Sequence, residues 1–266
     1  MLSNNSLALN DFILAIQKYR LIHELGLNDI KQRYRRTVLG PIWISLSLAA
    51  TILGLGILFG VIFKQKNSEY FPYLAVGILF WTFISTVISE GADSFIAMGN
   101  VMKQISLPYS MYVFRIIYRN IIILAHNLII AIIIFYFLDI EILDFNFLVI
   151  PQVFLGIINL FWMMLVLAVI ATRYRDINPI VTNGLQLFFY LSPIIWLPEQ
   201  IKDNGVLNGI LKYNPFYYIL TALRSLMNGI LMSQNQLLLL GIMAITGVIL
   251  SFMLFSINYK KITFWL

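Results

Sequence analysis

Apolar runs of about twenty residues, parted by short polar stretches, recur six times along this chain: residues 39–63, 71–90, 111–138, 147–171, 179–197 and 237–258. A helix advances about 1.5 Å per residue, so runs of this length cross the roughly 30 Å hydrocarbon core of a bilayer. The pattern predicts an all-α membrane protein with six transmembrane helices. It is read as one transmembrane domain over residues 1–266, with an inner-surface helical region at 1–38, a bundle at 39–258 and a tail at 259–266.

Two stretches depart from the spanning pattern. Between residues 10 and 25, Phe12, Ile16 and Tyr19 recur at three- and four-residue spacing with Ile13 beside them, while Gln17, Lys18 and Arg20 fall elsewhere. Such a helix is too short and polar to cross and is expected to lie in the interface, a solvated arm being the alternative. Gly26 is expected to end it, and Asp29 with Gln32 resembles a capping box opening a second basic helix. Residues 215–232, PFYYILTALRSLMNGILM, nearly reach spanning length but carry Arg224 at the middle. Asn214 suits a cap, Pro215 the first helical position, and Asn228-Gly229 a break. The reading favoured is a re-entrant or interfacial helical pair on the outer side between residues 199 and 234. A seventh crossing is the alternative, and it would put Lys260 and Lys261 outside.

Composition agrees with the pattern: 60% of residues are hydrophobic, 11% are charged, and the mean hydropathy is +0.86, against about 25% charged in soluble domains. Lys31, Arg33, Arg35 and Arg36 crowd against the first span. With both termini inside, 13 of the 18 basic residues fall on inner segments, as the positive-inside bias requires. The net charge of +6 then reads as attraction to anionic lipid rather than to nucleic acid. The absence of cysteine excludes disulfides and thiolate metal sites, and His23 and His126 leave little for a metal cluster. Asp11 interrupts the first apolar stretch, so no cleavable signal peptide is expected.

Catalytic motifs are missing: the sequence has no GxxxxGK[ST] phosphate loop, no HExxH and no GxSxG. GLGILFG, with Gly56 and Gly60, reads as a close helix approach inside a span. His126 and Asn127 read as an interhelical hydrogen bond more than as a proton relay. Arg115 and Arg119, four apart, share one helix face, where they either snorkel to headgroups or receive an anionic diphosphate lipid. Arg173, Arg175 and Asp176 suggest a local ion pair before Pro179. In the first inner loop, Phe95, Ile96, Met98, Val101, Met102 and Ile105 outline a short amphipathic piece ended by Pro108. It is either a docking element for a soluble partner or an ordinary interfacial loop helix. Tyr118, Phe161, Trp162 and Tyr190 either pack or line a path on which sugar C–H faces slide.

Five segments in order carry a resemblance: RYRRTVLGPIW, MGNVMKQISLP, ATRYRDINPI, FYLSPIIWLPEQ and LKYNPFYYILTALRSLMNG. Through essentially its whole length the chain resembles the membrane subunit of ABC-2 type polysaccharide exporters, above all O-antigen/lipopolysaccharide export permeases. Capsule and teichoic acid exporters are near relatives. Where many relatives carry a proline soon after the first-span tryptophan, this chain has residues 45–50, SLSLAA. The resemblance implies six transmembrane helices behind an amphipathic interface helix, with re-entrant helices before the last span. It implies a homodimer in the bacterial cytoplasmic (inner) membrane, both termini cytoplasmic, working with two separate ATPase subunits. Those subunits bind ATP and Mg; no cofactor or metal belongs to this chain, which is not itself an enzyme. The cargo implied is an undecaprenyl-diphosphate-linked glycan. By position, Arg33, Arg35, Arg36, Arg115 and Arg119 would meet the headgroup at a gate. Phe95, Met98, Asn100, Lys103 and Pro108 would mark the ATPase-coupling helix, and Tyr213, Asn214, Pro215 and Arg224 the re-entrant element. Two rival readings are an ABC-2 exporter of small hydrophobic drugs and an integral-membrane transferase using the acidic stretch at Asp139, Glu141 and Asp144.

Overall fold

The computed structural model describes residues 4–35, 40, 42–63, 67–137, 146–201 and 204–266, and these are helical almost throughout. In chain order the helices are α1 (Asn4–Gln17), α2 (Tyr19–Tyr34), α3 (Ile42–Phe63), α4 (Asn67–Ala97), α5 (Gly99–Gln104) and α6 (Tyr109–Phe137). There follow α7 (Val149–Arg173), α8 (Ile177–Leu191), α9 (Gly205–Tyr213), α10 (Pro215–Asn228), α11 (Gln234–Asn258) and α12 (Ile262–Trp265). Five of them, α3, α4, α6, α7 and α11, are long and apolar enough to cross a membrane.

The fifth predicted crossing takes a different form. A continuous helix over 179–197 does not form; α8 has 15 residues, about 22 Å of rise. Pro193 pushes the residue before it out of the helical region, and Ser192 is extended at φ −99°, ψ 148°. The irregular backbone behind it is buried and its carbonyls are met by protein donors. The Tyr70 hydroxyl donates to Ile195 O at 2.6 Å and the Tyr73 hydroxyl to Pro193 O at 2.7 Å. Asn214 Nδ2 donates to Ser192 Oγ at 2.9 Å. Such pairing is what non-helical chain needs away from water.

Helix α4 is the axis of the bundle, packed by α3, α6, α7, α8 and α10, with Leu74, Phe80, Ile84 and Phe95 fully buried along it. Small residues set the spacing. A Cβ on Gly91 of α4 would meet Met164 of α7 at 2.6 Å, and one on Gly247 of α11 would meet the Trp162 ring at 2.1 Å. Gly56 faces Phe71 in the same way, so the close approach expected in GLGILFG is formed there. The Ser45 hydroxyl lies 2.6 Å from His126 Nδ1 and donates to Asn127 Oδ1 at 2.9 Å, which is the expected link between α3 and α6.

The N-terminal helices differ from the expected pair. The break falls at Lys18, not at Gly26. Gly26 lies within α2, where a Cβ would stand 2.8 Å from the Tyr118 ring; the glycine serves close packing, not helix termination. Asp29 is likewise inside α2 and caps nothing; its carboxylate reaches α6 instead. Helix α1 lies on α6 and α11, buries Ala8, Asp11 and Ala15 and leaves Leu9, Ile13, Leu14 and Ile16 exposed as an apolar outer face; Tyr19, at the start of α2, is exposed beyond them. Ser256 Oγ donates to Asn5 Oδ1 at 2.5 Å, so α1 and the end of α11 share one end of the bundle.

The helical pair after α8 forms where expected. Asn214 accepts from Phe216 N at 3.0 Å, Pro215 opens α10, and Gly229 ends it with φ 64°, the left-handed conformation glycine adopts without strain. Helix α10 has 14 residues, about 21 Å, and buries Phe216, Ile219, Leu220 and Leu223 against α7 and α4.

Candidate functional site

Three arginines and two carboxylates meet where α2 packs on α6, beside α4. On α2, His23, Gly26, Asp29 and Arg33 recur at three- and four-residue spacing and so share one face. His23 Nδ1 pairs with the Tyr118 hydroxyl. Arg115 grips Asp29 with two bonds, Nη2 to Oδ1 at 2.5 Å and Nε to Oδ2 at 2.7 Å. Arg119 donates to Asp29 Oδ2 at 3.1 Å and to Glu90 Oε2. Glu90 also accepts from Arg33 at 3.1 Å and from Asn120 Nδ2 at 2.9 Å. The side chains of Arg115, Asp29 and Arg119 are 12%, 14% and 15% exposed, whereas Arg33 is half in solvent at 50%. Of the predicted headgroup residues the structure thus unites Arg33, Arg115 and Arg119. Arg35 is exposed beyond the end of α2, and Arg36 lies outside the described residues.

Asp11, read from sequence as a break in an apolar stretch, caps α6 from a distant helix. Its carboxylate accepts from Tyr109 N at 2.7 Å, Ser110 N at 2.9 Å, Ser110 Oγ at 2.5 Å and the Tyr259 hydroxyl at 3.1 Å. Those amides are free donors of the first helical turn, and a carboxylate there also meets the positive end of the helix dipole. At 2% exposure, burial pushes the Asp11 carboxyl above its ordinary range, and the bonds from Ser110, Tyr109 and Tyr259 pull it back. An acidic residue on the buried face of an amphipathic helix was the signal for this role.

Between α4 and α6 the predicted coupling segment divides. Phe95 belongs to α4 and is buried; Met98 stands at the junction; Gly99–Gln104 form α5. Met102 turns inward, Asn100, Val101, Lys103 and Ile105 are exposed, and Pro108 is buried just ahead of α6. Leu266 packs on α5, 3.4 Å from where a Gly99 Cβ would lie. The local ion pair expected among Arg173, Arg175 and Asp176 does not form among the described residues; the Arg173 guanidinium instead lies over Tyr174 at 5.0 Å and Trp265 at 5.4 Å, which ties the end of α7 to α12.

An open groove of about 410 Å³ runs between α4 and α8, with Trp81 and Phe189 among side chains ending in hydroxyls and an amide: Ser85, Ser89, Thr182 and Gln186. The aromatics singled out from sequence are elsewhere. Tyr118 is bound to His23, Phe161 stacks on Phe114 at 4.8 Å, and Trp162 donates to Asn159 at 2.9 Å. Tyr190 is exposed and lines a separate cleft of about 260 Å³ with Trp196, Leu207 and Ile210. Trp81 and Phe189 were hidden by their apolar neighbours; the hydroxyl residues at 85, 89 and 182 and the amide at 186 were the available signal. At the other end, Arg224 is buried at 8%, its guanidinium 4.0 Å from the Tyr73 ring centre, while Tyr213 is exposed.

Residues 21–228, most of the chain, match the ABC-2 type transporter family model. The chain belongs to the ABC-2 type transporter family. It is 24% identical over 220 residues to an O-antigen export system permease protein of Myxococcus xanthus, covering 79% of this chain and 82% of the relative. It is 25% identical over 238 residues to one of Klebsiella pneumoniae, covering 87% and 88%. A second Klebsiella pneumoniae permease of the same description is 26% identical over 229 residues, covering 84% and 85%. In this ABC-2 chain the matched stretch runs from α2 to the end of α10, and so includes the arginine–carboxylate cluster, α5, the groove and Arg224.

Proposed function

We propose that this chain is the membrane-spanning subunit of an exporter that moves an O-antigen-like, lipid-linked polysaccharide across the bacterial cytoplasmic membrane. It works as a homodimer with two separate ATPase subunits that bind ATP and Mg, and performs no covalent chemistry itself. The observation that carries this reading is the α4–α8 groove. Hydroxyls and an amide exchange hydrogen bonds with sugar hydroxyls, while Trp81 and Phe189 offer faces to sugar C–H groups. The Ser85, Ser89 and Thr182 hydroxyls donate to carbonyls of their own helices, which leaves their oxygens to accept from sugar hydroxyls; a small hydrophobic drug would leave that capacity and the Gln186 amide unused, so the groove favours glycan over drug cargo. In the dimer the grooves of the two copies together wall the path.

Six crossings with both termini cytoplasmic are part of the same reading. The contacts of α1 with Ser256 and Tyr259 support a reading with both ends on one side and hence an even number of crossings. Helices α3, α4, α6, α7 and α11 supply five; α8 with the tyrosine-bound segment behind it makes the sixth, and α9 and α10 re-enter from outside. Arg33, Arg35, Arg36, Arg115 and Arg119 receive the diphosphate at the inner surface. The segment from Phe95 to Pro108, with Asn100 and Lys103 exposed, seats on the ATPase and transmits its closure to α4 and α6.

The direct test is reconstitution in vesicles with the partner ATPase and a lipid-linked glycan. Glycan-stimulated ATP hydrolysis and protected lumenal glycan are expected. Stimulation by amphipathic drugs and not by glycan would overturn the reading. Within the same assay, Ser85→Ala with Gln186→Ala is expected to slow translocation several-fold and leave basal hydrolysis intact.

A further inference from the structure

Beside the arginine–carboxylate cluster, a cavity of about 200 Å³ opens between α4 and α6, next to the α4–α5 junction. Its polar lining is unusual in what it leaves unpaired. Ser94 Oγ, the Tyr112 hydroxyl and Arg119 Nε are buried without a partner among the described residues, and Ser94 and Tyr112 are 3% and 2% exposed. Arg115 Nη1 has the Met98 thioether at 3.4 Å, a weak acceptor. Two of these four groups are guanidinium N–H, which can only donate, and the hydroxyls donate as readily as they accept. A buried donor left unpaired is costly, so the set calls for a ligand rich in acceptors.

The carboxylates of the wall narrow the choice. Glu90 is held by Arg33, Arg119 and Asn120, and Asp93 accepts from Asn178 at 2.9 Å. With Asp29, three carboxylates balance the three arginines, so recognition comes from directed donors more than from net charge. A phosphate bearing two ester or anhydride links carries one negative charge and several acceptors and suits such a site. Free phosphate, part of it doubly charged at neutral pH, meets more repulsion from Glu90 and Asp93 than a singly charged diester does.

We propose that Ser94, Tyr112, Arg115 Nη1 and Arg119 Nε form a phosphate-diester subsite between α4 and α6. Resting on the export reading, the subsite takes one phosphate of the lipid–glycan diphosphate. The headgroup is then bound without breaking the Asp29 pairs, and its phosphate lies against Met98 at the start of the ATPase-coupling segment.

The test uses the full chain in lipid nanodiscs, titrated with a short-chain isoprenyl diphosphate carrying one sugar. The Ser94→Ala/Tyr112→Phe variant is expected to bind at least tenfold more weakly. Its melting temperature should be unchanged or higher, because the deleted hydroxyls have no partner to lose. Unchanged affinity, or weakened binding accompanied by a lower melting temperature, overturns the subsite. Parallel titrations with orthophosphate and with phosphatidylglycerol assign the source. Binding of either one lost in the variant, with no isoprenyl diphosphate binding, overturns the lipid–glycan assignment. In the export assay, full transport by the variant sinks the subsite and leaves the export reading standing. No transport by the unaltered chain sinks the export reading, while the titration still decides the subsite.

Discussion

The two polar ends of this bundle solve the same problem by different means. At the end holding α2, charges cancel each other: Asp29 and Glu90 are shared among three arginines. At the end holding α9 and α10, one buried arginine, Arg224, faces the Tyr73 ring and a 3.5 Å carbonyl. There, tyrosine and asparagine side chains mainly answer stranded backbone carbonyls. The first arrangement is held by opposite charges; the second is fixed by shape and by main-chain geometry. The difference separates an end that must neutralise largely buried charges from an end that must hold irregular chain away from water.

The largest expected effect comes from breaking the first arrangement. Asp29→Ala strands the largely buried Arg115 guanidinium, takes from Arg119 one of its two carboxylates and should cost about 3 kcal/mol, read by denaturant unfolding of the purified chain; a loss below about 1 kcal/mol would show that Glu90 alone neutralises both. At the opposite end Gly77→Ala puts a Cβ 2.2 Å from Arg224 Nη2 and 3.1 Å from Ile194 O, an overpacking expected to cost about 1–3 kcal/mol. Adding Arg224→Met should recover part of that loss, and no recovery would place the strain at the backbone. Asn214→Ala removes the α10 cap and the bond to Ser192, for about 1–2 kcal/mol. Protease accessibility of the 192–214 segment should rise with it. Smallest is Arg33→Ala. Its pair with Glu90 is half solvent-exposed, so a double-mutant cycle with Glu90→Gln should give under about 0.5 kcal/mol, falling with added salt.

How much of this was legible in the sequence depends on whether the cause was local. The Asn214 cap, Pro215 start and Gly229 stop act within a few residues, and all three were readable. The α3–α6 bond from Ser45 was half readable, since His126 and Asn127 stood out in an apolar run but their partner did not. The roles of Gly26 and Asp29 were misread because both obey local rules, as helix breaker and as cap, that a tertiary contact overrides. Tyr118 and Arg115 lie about 90 residues away on α6. Glu90 only closed the 71–90 run and Ser94 lay beyond it with no local signal; the packing of α4 against α6 is what turns them toward the arginines. The shortening of α8 was written in Pro193, yet an apolar run hides a break when tyrosines far upstream bind the freed carbonyls.

The anchoring of Asp11 carries a consequence for how the chain is made. Its carboxylate waits for Tyr109 and Ser110, and then for Tyr259, 248 residues further along the chain. Synthesis runs from the N-terminal side, so α1 leaves the ribosome long before its last partner. Until then the helix has an acid facing an unfinished seat, and it stays at the membrane surface, where water can solvate the charge. The contact thus joins an early and a late stretch of translation, and a chain cut short before Tyr259 leaves it open.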